Sequence, residues 1–85
     1  MSEVEDRVKQ VLGRLLGVNH SDLRNEAALV RDLGADSSHG VELVLQLEDA
    51  LEIRIANDTR RELVTVADVV AFAQEQFSQQ HRAVL

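Results

Sequence analysis

Residues 31–45 read RDLGADSSHGVELVL, and the order of residue types within them decides the fold. A loop containing Gly34 leads into Asp36, two adjacent serines, His39 and Gly40. Only then does an apolar run with helical spacing begin. Gly40, Leu43, Val44, Leu47, Ala50 and Leu51 fall at i, i+3, i+4, i+7, i+10 and i+11, the core stripe of a helix from about Ser37 to Leu51. Val41 and Leu45 lie on its flank beside Glu42, Glu48, Asp49 and Glu52. Aliphatic and acidic groups mixed on one helix suit a partner-facing surface. The first turn is polar and poor in helix formers, so one of its serines either caps the helix or carries something.

Upstream, Ser2-Glu3-Val4-Glu5 is a capping-box pattern, and Val4, Val8, Val11, Leu12, Leu15 and Leu16 follow at helical spacing. This predicts a first helix over residues 3–16, weakened at Gly13 by about 1 kcal/mol relative to alanine and ended by Gly17. From Val18 to Asp36 the periodicity fades. Leu23, Leu29, Val30 and Leu33 read as anchors of a long loop on the core, with Ser21 or Asn25 able to start a short turn. Downstream, Ile53 and Ile55 carry the apolar signal into a second loop, and Asn57 or Asp58 can cap a short third helix ending near Leu63. Thr65-Val66-Ala67-Asp68 is another capping pattern, followed by a stripe of Val66, Val69, Val70, Ala73 and Phe77. The tail SQQHRAVL has no stripe, so an ordered core over about 3–77 and a frayed tail over 78–85 are expected. No strand alternation persists and there is no proline. The expectation is one all-α domain over residues 1–85. It is a small antiparallel four-helix bundle of three main helices and a short third helix, with a long loop after helix one.

Composition narrows the function. With 85 residues and 45 % hydrophobic content the chain can bury one modest core. It has no cysteine, which excludes thiol catalysis and thiolate metal sites. No apolar run approaches the ~20 residues that span a bilayer, and no basic-then-apolar leader opens the chain. A cytoplasmic monomer without membrane insertion is expected. Two Phe and no Trp or Tyr leave few platforms for stacking bases, and a net charge of −6 disfavours a nucleic-acid backbone as partner. Residues 36–58 hold six acidic side chains against Arg54 alone, so nearly all the excess begins at the polar turn.

The motifs together resemble the acyl carrier protein family, over roughly Val4 to Phe77. VKQVLGRLLGV at 8–18 is similar to its first helix, DLGADS at 32–37 to its modification signature, VELVLQLEDALEIRI at 41–55 to its recognition helix and following loop, and VTVADVVAFA at 64–73 to its last helix. The resemblance implies that Ser37 receives a 4′-phosphopantetheine arm from coenzyme A through a phosphopantetheinyl transferase, with Asp36 assisting. Acyl groups then ride on the terminal thiol as thioesters in a fatty-acid or polyketide-type pathway. It also implies docking of acyl-transferring, ketosynthase or ligase-type enzymes, whose basic patches would meet Val41, Glu42, Leu45, Glu48 and Asp49. The residues suit that role: a cysteine-free domain that handles thioesters must take its thiol from a cofactor, and a helix N-terminus tolerates a phosphodiester. The aliphatic interior suits an acyl chain entering between helices, with Leu47, Val66 and Val70 as lining.

Departures from the family are specific. It usually follows its serine with leucine or isoleucine and then often an acid, where this chain has Ser38, His39 and Gly40. Ala56 stands where proline is common, and Arg60 and Arg61 make the third helical segment basic. These differences point to a specialised carrier with dedicated partners. Two other functions fit the sequence less well. An unmodified interaction module would keep the fold and use Ser37 only as a cap, and a peptidyl carrier would differ in cargo. Catalysis is not expected: Ser37 and His39, two apart on a helix, point some 200° away from each other, and no GxSxG motif is present. His39 with Glu42, or His20 with Asp22, gives too few ligands for a structural metal site.

Overall fold

The structure is a computed structural model that describes residues 3–36, 38–55 and 63–81. Its elements are α1 (Glu3–Leu16), a 3₁₀ turn η1 (His20–Asp22), α2 (His39–Leu51) and α3 (Val66–Gln80). The described residues are all helical in architecture, with three helices and no strand. An isolated bridge joins Ala28 to Thr65. The expected short third helix, the Ser2 cap and Ser37 itself lie outside the described residues.

Helix α1 is the element on which both α2 and α3 pack. Its buried stripe is Val4, Val8, Val11 and Leu12, as the spacing predicts. Glu3, Glu5 and Asp6 in the first turn and Arg14 in the last complement the helix dipole. Gly17 follows with φ 68°, a left-handed conformation that glycine adopts without strain and that ends the helix. From α2 the core receives Leu43, Leu47 and Leu51, and from α3 Val66, Val69, Val70, Phe72 and Ala73. Thr65 and Asp68 form the expected capping box: Asp68 N–H donates to Thr65 Oγ1 at 3.2 Å and Thr65 N–H to Asp68 Oδ2 at 3.0 Å.

The long loop lies on the core through Leu23, Ala27, Ala28, Leu29 and Leu33. Val30, expected among its anchors, is instead 69 % exposed. The main chain explains why: residues 28–35 form a tight run of turns, in which Ala35 N–H donates to Leu29 O and Gly34 N–H to Val30 O. Neighbours in such a run face different ways, so Leu29 is buried and Val30 is not. The loop is tied to the start of α3 by Leu29 N–H to Val64 O at 2.8 Å and Val66 N–H to Ala27 O at 3.0 Å.

At its C-terminal end α3 runs three residues beyond Phe77, where the apolar stripe stops. Tertiary hydrogen bonds supply the reason. Arg54 N–H donates to Gln80 Oε1 and Gln80 Nε2 donates to Arg54 O, both at 2.7 Å. His81 stacks on Phe77 with ring centroids 4.3 Å apart, and its Nε2 is 2.9 Å from Glu52 O. From α1, Arg7 donates to Ala50 O at 2.8 Å. The end of α2 is therefore held by both other helices.

Candidate functional site

Gly34, at φ 78°, turns the chain so that residues 35–38 lead into α2. Asp36 then organises the helix start. Its Oδ1 accepts the Ser38 N–H at 2.9 Å and also the Ser38 hydroxyl, while its carbonyl accepts the His39 N–H at 3.0 Å. Ser38 stands at the N-cap position with helical backbone angles, φ −72° and ψ −21°, and offers the helix no side-chain cap bond. The polar first turn is thus explained by a carboxylate that reaches forward and satisfies an otherwise orphaned donor. Helix α2 starts at His39, two residues later than its apolar pattern predicts. Gly40, counted in the core stripe by spacing, is exposed, and a Cβ placed on it would meet nothing within 4 Å. It lies in the first turn, where α2 faces solvent.

Beside this segment is an apolar cavity of about 250 Å³. Leu12, Leu15 and Leu16 of α1 form one wall, Leu43 and Val44 of α2 another, and Leu29, Ala35 and Leu63 complete it. Asp36, His39 and Gly40 border it. The expected lining was different: Leu47, Val66 and Val70 are packed in the solid core and do not reach the cavity. The opening lies at the N-terminal end of α2 because the loop bridges the ends of α1 and α2 there, and a loop fills space less completely than a packed helix.

Four of the five docking candidates, Val41, Glu42, Leu45 and Asp49, are exposed on α2, with Val41 and Leu45 at 61 % and 56 %. Glu48 is different. It is half-buried, and its Oε2 accepts the Ile55 N–H at 2.7 Å, so this carboxylate anchors the loop after α2. The pairing of His39 with Glu42 is not made: Glu42 accepts from Gln46 Nε2 at 3.3 Å, and His39 turns to Asp36. Val30, which also borders the cavity, adds exposed aliphatic surface that sequence spacing had assigned to the core.

Three aspartates are held below their ordinary value of 3.8 by the hydrogen bonds they accept. Asp32 accepts from the Ala28 N–H, Asp36 chiefly from the Ser38 hydroxyl and then its N–H, and Asp68 from the Thr65 and Val64 N–H groups. A carboxyl group with a folded-state pKa below its unfolded one stabilises the fold above the unfolded value and loses that contribution as pH falls through the folded one. The melting temperature is therefore expected to fall progressively as pH passes below 3.8. Asp68→Ala should lower it at neutral pH and make the acid dependence shallower. Circular dichroism melts across pH check this, and an unchanged acid slope in Asp68→Ala would remove the capping box from the account.

Asp36, Ser38 and Gly40 are all open to solvent. Residues 6–73 match the family described as phosphopantetheine attachment site. The match runs from the first turns of α1 through the loop and α2 to Ala73 in α3. Domains of that family bear a covalent 4′-phosphopantetheine group and typically carry substrates rather than transform them; their partners are phosphopantetheinyl transferases and acyl-handling enzymes. Among the described residues, no helix is long and apolar enough to cross a membrane. With the match extending over most of its length, the chain belongs to the phosphopantetheine attachment-site family and is a carrier protein for that group.

Proposed function

We propose that this carrier is an acyl carrier protein, loaded on Ser37 by a phosphopantetheinyl transferase and serving a specialised fatty-acid or polyketide-type pathway. The observation that carries the proposal is the apolar cavity bordered by Asp36, His39 and Gly40. Its walls are aliphatic and its polar groups are confined to one edge, which suits a hydrocarbon chain better than a peptidyl group. Each methylene moved from water into such a space contributes about 0.8 kcal/mol. Burying four methylenes would raise stability by about 3 kcal/mol, and about 1 kcal/mol shifts the melting temperature of a domain this size by roughly 4–8 °C. The acylated form should therefore melt well above the holo form. Equal melting temperatures for a medium-length chain would leave the cargo outside and favour the peptidyl alternative.

Docking is assigned to α2, where Val41 and Leu45 stand exposed among Glu42 and Asp49. Ketosynthase, ligase or acyl-transferring partners would present lysine and arginine there, because opposite charge on two surfaces speeds their encounter. Glu42→Lys with Asp49→Lys should slow association and flatten its dependence on salt. Wild-type processing rates in that double variant would move the docking surface off α2.

A further inference from the structure

Among the described residues the exposed large hydrophobics are Val30, Val41, Leu45 and Val64, and three of them fall together. Val30 in the loop and Val41 in α2 both border the apolar cavity, and Leu45 lies one turn beyond Val41. Asp36, His39 and Gly40 border the same cavity. Single exposed aliphatic side chains are ordinary on a protein surface, whereas a contiguous apolar patch marks a contact with another molecule.

The turn that carries Val30 is closed by its own hydrogen bonds. Asp32 N–H and Leu33 N–H both donate to Ala28 O, at 2.9 and 3.1 Å, and Gly34 N–H donates to Val30 O at 3.3 Å. The Asp32 carboxylate accepts the Ala28 N–H at 2.8 Å and closes the run from the other side. An apolar group on a backbone already fixed loses little further freedom when a partner covers it, so more of its transfer free energy appears as affinity. The charge beside it is also moderated, because Arg31 Nε stands 3.6 Å from Asp32 Oδ1. A basic surface drawn to acidic α2 therefore meets Arg31 with a carboxylate already beside it.

We propose that Val30 is an apolar anchor for the phosphopantetheinyl transferase, which seats across the cavity and contacts the loop and α2 together. This deepens the reading of the chain as a carrier loaded at the start of α2, and rests on it. Acyl-handling enzymes reach their substrate through the arm, whereas the transferase has to bring its reacting centre onto the carrier's own surface. Its footprint therefore covers the edge formed by Asp36, His39 and Gly40. Val30 from the loop and Val41 from α2 are the exposed aliphatic side chains bordering that same cavity.

The test measures loading by a broad-specificity phosphopantetheinyl transferase with coenzyme A, for wild type, Val30→Ser and Val64→Ser. Val64 is the matched control: it is 51 % exposed but does not border the cavity. Val30→Ser should raise KM for the carrier about fivefold or more, as truncating an interface anchor does, and leave kcat unchanged. Val64→Ser should load like wild type. A second readout does not depend on loading. When the unloaded carrier is titrated with the transferase alone, the amide resonances of residues 28–35 should shift together with those of residues 41–49. Wild-type KM in Val30→Ser, or shifts confined to α2, would overturn the proposal and leave the loop to an acyl-handling partner. Loop amides that shift with carrier concentration alone would assign the face to a second copy of the chain and overturn it equally. Joint shifts of loop and α2 without any loading of wild type would keep the docking surface and remove the reading of attachment at the start of α2.

Discussion

Ser37→Ala is expected to abolish attachment of the phosphopantetheine arm, while Ser38→Ala leaves it possible. The two serines are adjacent, but the geometry gives Ser38 a different occupation. Its hydroxyl donates to Asp36 Oδ1 and its N–H donates to the same oxygen, so Ser38 holds the capping carboxylate. That also weakens the case for Ser37 as nothing more than a cap, since Asp36 already satisfies a donor at this helix end. Ser38→Leu should speed loading by a general transferase. A leucine side chain buried at the contact can contribute ~1.5–3 kcal/mol, and about 1.4 kcal/mol is a tenfold effect. Intact mass after incubation with transferase and coenzyme A reports attachment, and tandem mass spectrometry of the loaded protein locates it. The arm on Ser38, or no arm after prolonged incubation with several transferases, would favour the unmodified interaction module.

Local chemistry made much of this fold legible. The stripes of α1 and α3, the glycine that ends α1 and the Thr65–Asp68 box all depend on residues within a turn or two of one another, so spacing alone reveals them. Spacing failed where distant residues decide. The last turn of α3 exists because Gln80 clamps Arg54, a pairing between residues 26 apart that no periodicity encodes. Glu48 looked like one more acid on a docking face until the returning loop placed Ile55 N–H on its carboxylate. Val30 looked buried because it is aliphatic and stands beside Leu29. The cavity is formed by α1, a loop and α2 together, so its lining cannot be read from the core stripe of any one helix. Asp36 and His39 stood at capping-box spacing in the sequence. His39 there accepts the Asp36 N–H, a role its residue type alone does not announce.

Leu45 and Leu47 separate what the fold requires from what the surface does. They are two residues apart on α2, yet Leu47 is 1 % exposed in the core and Leu45 is 56 % exposed. Truncating a fully buried leucine removes its transfer free energy and leaves a hole that the neighbours close only in part, a cost of ~2–5 kcal/mol. Domains hold only about 0.05–0.15 kcal/mol per residue of net stability, so a loss of that size approaches the whole of what a chain this short has. Leu47→Ala should therefore lower the melting temperature by well over 10 °C, at roughly 4–8 °C per kcal/mol, or prevent folding near body temperature. Leu45→Ala should stay within about 0.5 kcal/mol of wild type in stability, as surface changes generally do. Its effect should appear instead in weaker docking of the partner enzyme, through loss of an exposed apolar contact. Thermal melts and partner titrations of the two variants together decide the matter. Similar melting losses in both would mean that Leu45 is buried in solution. Unimpaired docking of Leu45→Ala would take the aliphatic flank of α2 out of the interface.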